Sequence, residues 1–247
     1  MKNILFPVLL VLLITGVYSQ TVLLEKDVRA DSVQSKWGPN RSNYINIYFG
    51  FGFFADPPVS DSAEIIYGKS NSYALSVRYK KKICEFWAVG LGLYYNAINY
   101  SLKQSIYKVI PNKFIHDKEQ MNVQYIGMEL YERLNFKRRG DIIGVYVDAG
   151  LYAGLRIYSW NKSVDKFKNR ELSGAKKMEI TYKKLTYLEK FEYGITARMG
   201  INRVALYGTY RLSNLFTDDY TQYPELPRLT IGVEVALIGN NPVFTSE

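Results

Sequence analysis

The segment Ile142–Trp160, IIGVYVDAGLYAGLRIYSW, limits what this chain can fold into more than any other stretch. Taken every second residue, one set is Ile143, Val145, Val147, Ala149, Leu151, Ala153, Leu155 and Ile157. The other is Gly144, Tyr146, Asp148, Gly150, Tyr152, Gly154, Arg156 and Tyr158. Side chains on a strand alternate between faces, so this is one long strand with an unbroken apolar face. An average strand in a soluble protein has about 5–6 residues, roughly a third of this length. A tilted strand that crosses a bilayer needs about 9–11 and often extends beyond it. The pattern predicts a transmembrane β-strand.

The same alternation recurs along the chain. It predicts strands at 44–54, 73–80, 86–98, 122–136, 187–201, 204–213 and 228–237, eight with the opening segment. Phe49, Phe51 and Phe53 share one face of the first, and Leu91, Leu93 and Tyr95 one face of the third. The connections run long, short, long, short, long, short, long, the pattern of extracellular loops and periplasmic turns. The predicted fold is all-β: an eight-stranded antiparallel up-and-down transmembrane β-barrel over residues 42–238. An even strand number leaves both chain ends in the periplasm. The 8 prolines all fall outside these strands, as ladder hydrogen bonding requires. A soluble barrel or sandwich would also alternate, but not over such lengths or with such loops.

The N-terminus reads as a secretory signal peptide over residues 1–19. Lys2 is the basic n-region, Ile4 to Thr15 the apolar core, and Val17-Tyr18-Ser19 the cleavage site. Residues 20–41 follow as a polar periplasmic leader, and 239–247 form a C-terminal tail. Tyrosine is abundant, with 22 residues, and aromatics make up 15% of the chain, which suits the girdles of a membrane barrel. The net charge of +9 and the lysine-rich stretch 161–185 point to outer-membrane lipid and lipopolysaccharide as partners, not to nucleic acid. The single cysteine, Cys84, has no internal disulfide partner.

The second face of each strand becomes the barrel interior. It carries Arg78, Glu129, Arg133, Asp148, Arg156, Lys190, Glu192, Arg198, Arg211, Arg228 and Glu234. Eight strands enclose a space just wide enough for side chains to fill. Charges buried there must pair, with tyrosine hydroxyls completing their hydrogen bonds. The expectation is a polar plug that holds more bases than acids. No catalytic, cofactor-binding or metal-ligating residues are assigned. No His, Cys and carboxylate cluster has metal-ligand spacing, and FGFGFF and GLGLYY are strand glycines and not phosphate loops. Two further readings stay open. A lipid A modifying enzyme would need a base within reach of an ester, and His116, followed by Asp117, is the only histidine. The excess of interior bases would suit a small anion channel.

Three stretches carry a family resemblance: YIGMELYERLNF in the fourth strand, GVYVDAGLYAGLRIYS in the fifth, and YGTYRLSNLFTDDY with PELPRLTIGVEVAL near the end. Over residues 42–238 the chain resembles the small outer-membrane β-barrel domain proteins of Bacteroidota, a group that includes the PorT-like barrels and shares the eight-stranded plan of OmpA and OmpX. The resemblance implies a non-enzymatic membrane barrel with no catalytic residues to transfer. It implies a structural or accessory role, or docking within an envelope complex, with type IX secretion as the PorT-like case. Barrels of this kind end on a terminal aromatic, whereas here the last strand runs into LIGNNPVFTSE.

Overall fold

The computed structural model describes residues 36–136, 142–167 and 176–237. The signal peptide, most of the leader and the C-terminal tail lie outside the described residues. The strands are β1 (Asn43–Phe54), β2 (Asn71–Lys82), β3 (Trp87–Leu102), β4 (Lys118–Phe136) and β5 (Val145–Lys166). They continue with β6 (Lys177–Lys183), β7 (Phe191–Ile201), β8 (Val204–Arg211) and β9 (Leu229–Ala236). β1 to β5 pair in order, β5 pairs with β7, and β9 returns to β1. Every pairing is antiparallel. The result is a closed ring of eight strands.

The register gives the tilt. From Ile45 the row of paired residues passes Tyr79, Leu91, Leu130, Leu151, Ile195, Tyr210 and Leu229. It meets β1 again at Ala55, whose amide donates to the Leu229 carbonyl. The row has climbed from position 45 to position 55. A climb of that size, at ~3.3 Å per residue against eight spacings of ~4.8 Å, inclines the strands by about 40°. Such a barrel leaves room for side chains and little else.

Alternation decides which way the side chains point. Phe49, Leu75, Leu91, Leu93, Leu130, Leu151, Ile195, Leu206 and Val233 are exposed in an apolar band around the ring. So continuous a band on a ring of this height is a lipid-facing belt. Phe53, Tyr73, Tyr95, Phe191, Tyr193 and Tyr210 border it toward the long connections, and Trp87 and Phe136 toward the short ones. Inside, glycines take the rings of tyrosines across the strand. Tyr131 stands opposite Gly90 and Tyr146 opposite Gly200, where any Cβ would collide with the ring.

Four local expectations are corrected. The fifth strand begins at Val145 and not at Ile142. Gly144 turns the chain at φ 75°, so Ile143 is buried beside Tyr44, Tyr48 and Tyr146 instead of facing lipid. The apolar alternation is also interrupted near its other end. Gln124 pairs with Tyr158 but Tyr125 with Arg156, which leaves Ile157 without a partner on β4. This bulge moves the following residues to the other face, so Ser159, Asn161 and Ser163 point inward. The stretch 161–185 is not simply a loop. β5 continues to Lys166 and pairs with β6, a hairpin that rises above the ring. Finally, residues 184–190 leave the sheet as an arch, and the next strand starts at Phe191, not Tyr187. The end of the leader is held as well: the amide of Asn43 donates to the Lys36 carbonyl, and buried Lys80 donates to the Pro39 carbonyl.

Candidate functional site: the lumen and its cap

The middle of the lumen holds four charged side chains in a square. Arg78, from β2, donates to Glu234 of β9 through both terminal nitrogens, at 2.6 and 2.7 Å. Arg198, from β7, grips Glu129 of β4 in the same two-pronged way. The pairs are cross-linked, with Arg198 Nε 3.3 Å from Glu234 and Arg78 Nε 3.9 Å from Glu129. Each acid therefore faces two bases. Paired guanidinium and carboxylate groups of this geometry form the stronger class of hydrogen bond. Removing one member would leave an uncompensated buried charge, at a cost of about 3–5 kcal/mol.

One layer toward the short turns, Arg133 and Asp148 make a third two-pronged pair at 2.7 Å each. The Arg133 guanidinium lies over the Tyr146 ring at 3.7 Å, and Arg78 lies over Tyr48 at 4.4 Å. A desolvated cation gains from such a ring face. Beside the square is a cavity of about 70 Å³. Ser76 Oγ and Thr196 Oγ1 face it and find no partner among the described residues. A polar pocket of that size suits a few water molecules.

Toward the long connections the lumen changes character. Phe54, Ile65, Ile98, Tyr100, Met121, Val123, Leu188, Leu215, Phe216 and Leu226 form an apolar cluster across the barrel mouth. Several come from the connections, not the strands, and these connections are stitched together. The Val109 amide donates to Ser62, the Arg228 amide to Asp56, and the Tyr223 hydroxyl to the Pro111 carbonyl. Lys108 and Glu119 form a fully buried ion pair beneath them. Glu192, just below the cluster, is 2% exposed and accepts a hydrogen bond from the Tyr94 hydroxyl at 3.1 Å.

The interior residues expected from alternation thus divide. Arg78, Glu129, Arg133, Asp148, Glu192, Arg198, Arg211 and Glu234 are all buried. Three lie elsewhere. Lys190 is exposed, because the arch carries it out of the strand. Arg156 is half-buried at the rim and donates to Ser159 Oγ and to the Leu185 and Leu188 carbonyls. Arg228 is half-buried and donates to the Leu212 carbonyl and Asn214. The expected surplus of bases shrinks accordingly, since the square and the Arg133–Asp148 pair are each neutral. Arg211 meets Glu225, 3.1 Å away on the connection 212–228, a partner that strand alternation could not reveal. The His116 imidazole Nδ1 lies 2.8 Å from Asp165, on the rising part of β5. Among the described residues no group of His, Cys, Asp and Glu gathers that could hold a metal ion.

Two solved structures of Ail, the attachment invasion locus protein of Yersinia pestis, are similar to this chain. The first has 12% identity and a TM-score of 0.34, and covers 79% of this chain and 95% of Ail. The second, a complex with the heparin analogue sucrose octasulfate, has 11% identity and a TM-score of 0.32, and covers 78% and 94%. No curated protein matches. The family model described as "Outer membrane protein beta-barrel domain" matches residues 29–217, most of the chain. The chain belongs to this family of outer-membrane β-barrel proteins.

Proposed function

We propose that this is a non-enzymatic outer-membrane barrel, with both chain ends in the periplasm, that serves as an accessory or docking subunit of an envelope complex. The observation that carries the reading is the double closure of the lumen. The Arg–Glu square fills its middle, and the apolar cap covers its long-loop end. The loop surface and the outer wall are then what remain to meet other molecules. Val59, Ile106, Tyr107, Phe114 and Ile115 stand exposed on the connections 55–70 and 103–117. Exposed apolar side chains grouped on a braced surface suit protein docking. A PorT-like part in secretion by a Bacteroidota cell is the specific form suggested by the strand motifs.

Purified protein in planar bilayers is expected to give no stable conductance. Steady chloride-selective currents altered by Arg198→Ala would replace this reading with the anion channel. The enzyme alternative centres on His116, whose imidazole is engaged by Asp165. Lipid A acyl chains from cells with wild-type protein and His116→Ala are expected to be the same. Co-purification from native membranes in mild detergent, with and without Ile106→Ser and Phe114→Ser, would identify the complex.

A further inference from the structure

The arch 184–190 creates a feature that strand alternation does not foresee. Between it and the bulged part of β5 lies a groove of about 640 Å³ on the outer wall. Its walls include Arg156, Ile157, Tyr158, Lys184, Glu189 and Lys190. Lys184 and Lys190 are exposed, and their side chains make no hydrogen bond or ion pair among the described residues. Arg156 is anchored to a hydroxyl and two carbonyls, with no carboxylate bonded to it. Glu189 is the acid on this wall, so three bases stand against one acid.

The height of the groove is set by the register. Lys190 immediately precedes Phe191, which pairs with Leu155 in the lipid-facing belt. The amide of Arg156 donates to the Lys190 carbonyl at 2.7 Å. Ile157 and Tyr158, both exposed, continue the outer face of β5 upward from Leu155. The apolar floor therefore meets the belt where acyl chains end, and the bases stand at headgroup height. Aromatic girdles mark that boundary in barrels of this kind. Basic side chains at the boundary attract anionic headgroups, and guanidinium groups suit phosphate oxygens.

We propose that this groove binds the phosphate-bearing headgroup of an anionic glycolipid in the surrounding leaflet, with Lys184, Lys190 and Arg156 on the phosphate and Ile157 against the first acyl carbons. The proposal rests on the orientation proposed above only for which leaflet supplies the lipid. Binding in a nanodisc is blind to orientation, and protease cleavage of the long loops on intact cells tests orientation separately.

The test uses full-length protein in phosphatidylcholine nanodiscs doped with bisphosphorylated lipid A or its dephosphorylated form, with bound lipid read by native mass spectrometry. The variant is Lys184→Asn with Lys190→Gln; asparagine tolerates the positive φ of position 184. A heat-modifiability gel checks that it folds. Wild type is expected to retain the bisphosphorylated lipid and not the dephosphorylated one. The double variant is expected to bind it about thirtyfold more weakly, at ~1 kcal/mol for each base near the surface. Lys69→Gln, on the connection after β1, is expected to bind like wild type. Equal weakening by Lys69→Gln would mean diffuse attraction, and unchanged binding in the double variant would mean no site; either overturns the proposal. Excess inorganic phosphate is expected to leave the lipid bound. Displacement by it would make the groove a free-phosphate site and overturn the lipid assignment.

Discussion

The two halves of the lumen are closed by different physics. From its middle toward the short turns the lumen is filled by ion pairs between strands, Arg78–Glu234, Arg198–Glu129 and Arg133–Asp148. The half near the long loops is filled by apolar side chains, many of them lent by the connections. A buried ion pair often adds little net stability relative to apolar packing, but it is intolerant of losing one partner. An apolar cluster tolerates changes of shape and loses stability by degrees. The turn-side half therefore locks the ring into one register, and the loop-side half holds the outer surface still.

The largest expected effect breaks the square. Glu129→Ala leaves Arg78 and Arg198 facing Glu234 alone, and is expected to cost about 3–5 kcal/mol. Urea unfolding in detergent micelles, followed by tryptophan fluorescence, measures it. Adding Arg198→Met removes the surplus charge and should recover much of the loss. If the double variant is no better than the single one, charge balance is not what holds this half together. Next comes the cap. Leu188→Ala, at a site 1% exposed, is expected to cost about 2–5 kcal/mol. The damage should stay local, with loops cut faster by proteinase K while the barrel keeps its heat-modifiable mobility. Loss of that mobility would mean that the two halves fold as one.

A lysine on the lipid face tests the wall that both halves share. Leu151→Lys, in the row with Leu130 and Ile195, is expected to cost about 2–4 kcal/mol at mid-belt. Reduced insertion into preformed vesicles is the readout. The smallest effect belongs to the hairpin above the ring. Hydrogen bonds from Lys162 and Lys177 hold the Glu179 carboxyl down to about 2. A lowered acid contributes above its ordinary range and loses that contribution as pH falls toward 2. Glu179 is exposed, so solvent screens the pairing. Glu179→Gln is expected to leave unfolding at neutral pH unchanged.

The sequence by itself determined the ring and its two faces. Alternation is local, with a period of two, so each strand declares its lipid side and its lumen side without knowing its neighbours. That is why Leu91, Leu151 and Ile195 could be read as outward, and Arg78, Glu129 and Arg198 as inward. The tertiary structure decided what no local pattern encodes. Glu234 stands 156 positions from its partner Arg78; only closure and shear bring the two together. The bulge at Ile157 reverses the parity of upper β5, and the arch pulls Lys190 out of the lumen. The arch is tied to a distant connection through the Leu188 bridge to Phe216. The cap depends on connections whose order in the chain says nothing of how they meet: Tyr223 reaches Pro111, and Glu225 reaches Arg211. A side chain's facing follows from its own strand, but its partner follows from the geometry of the whole barrel.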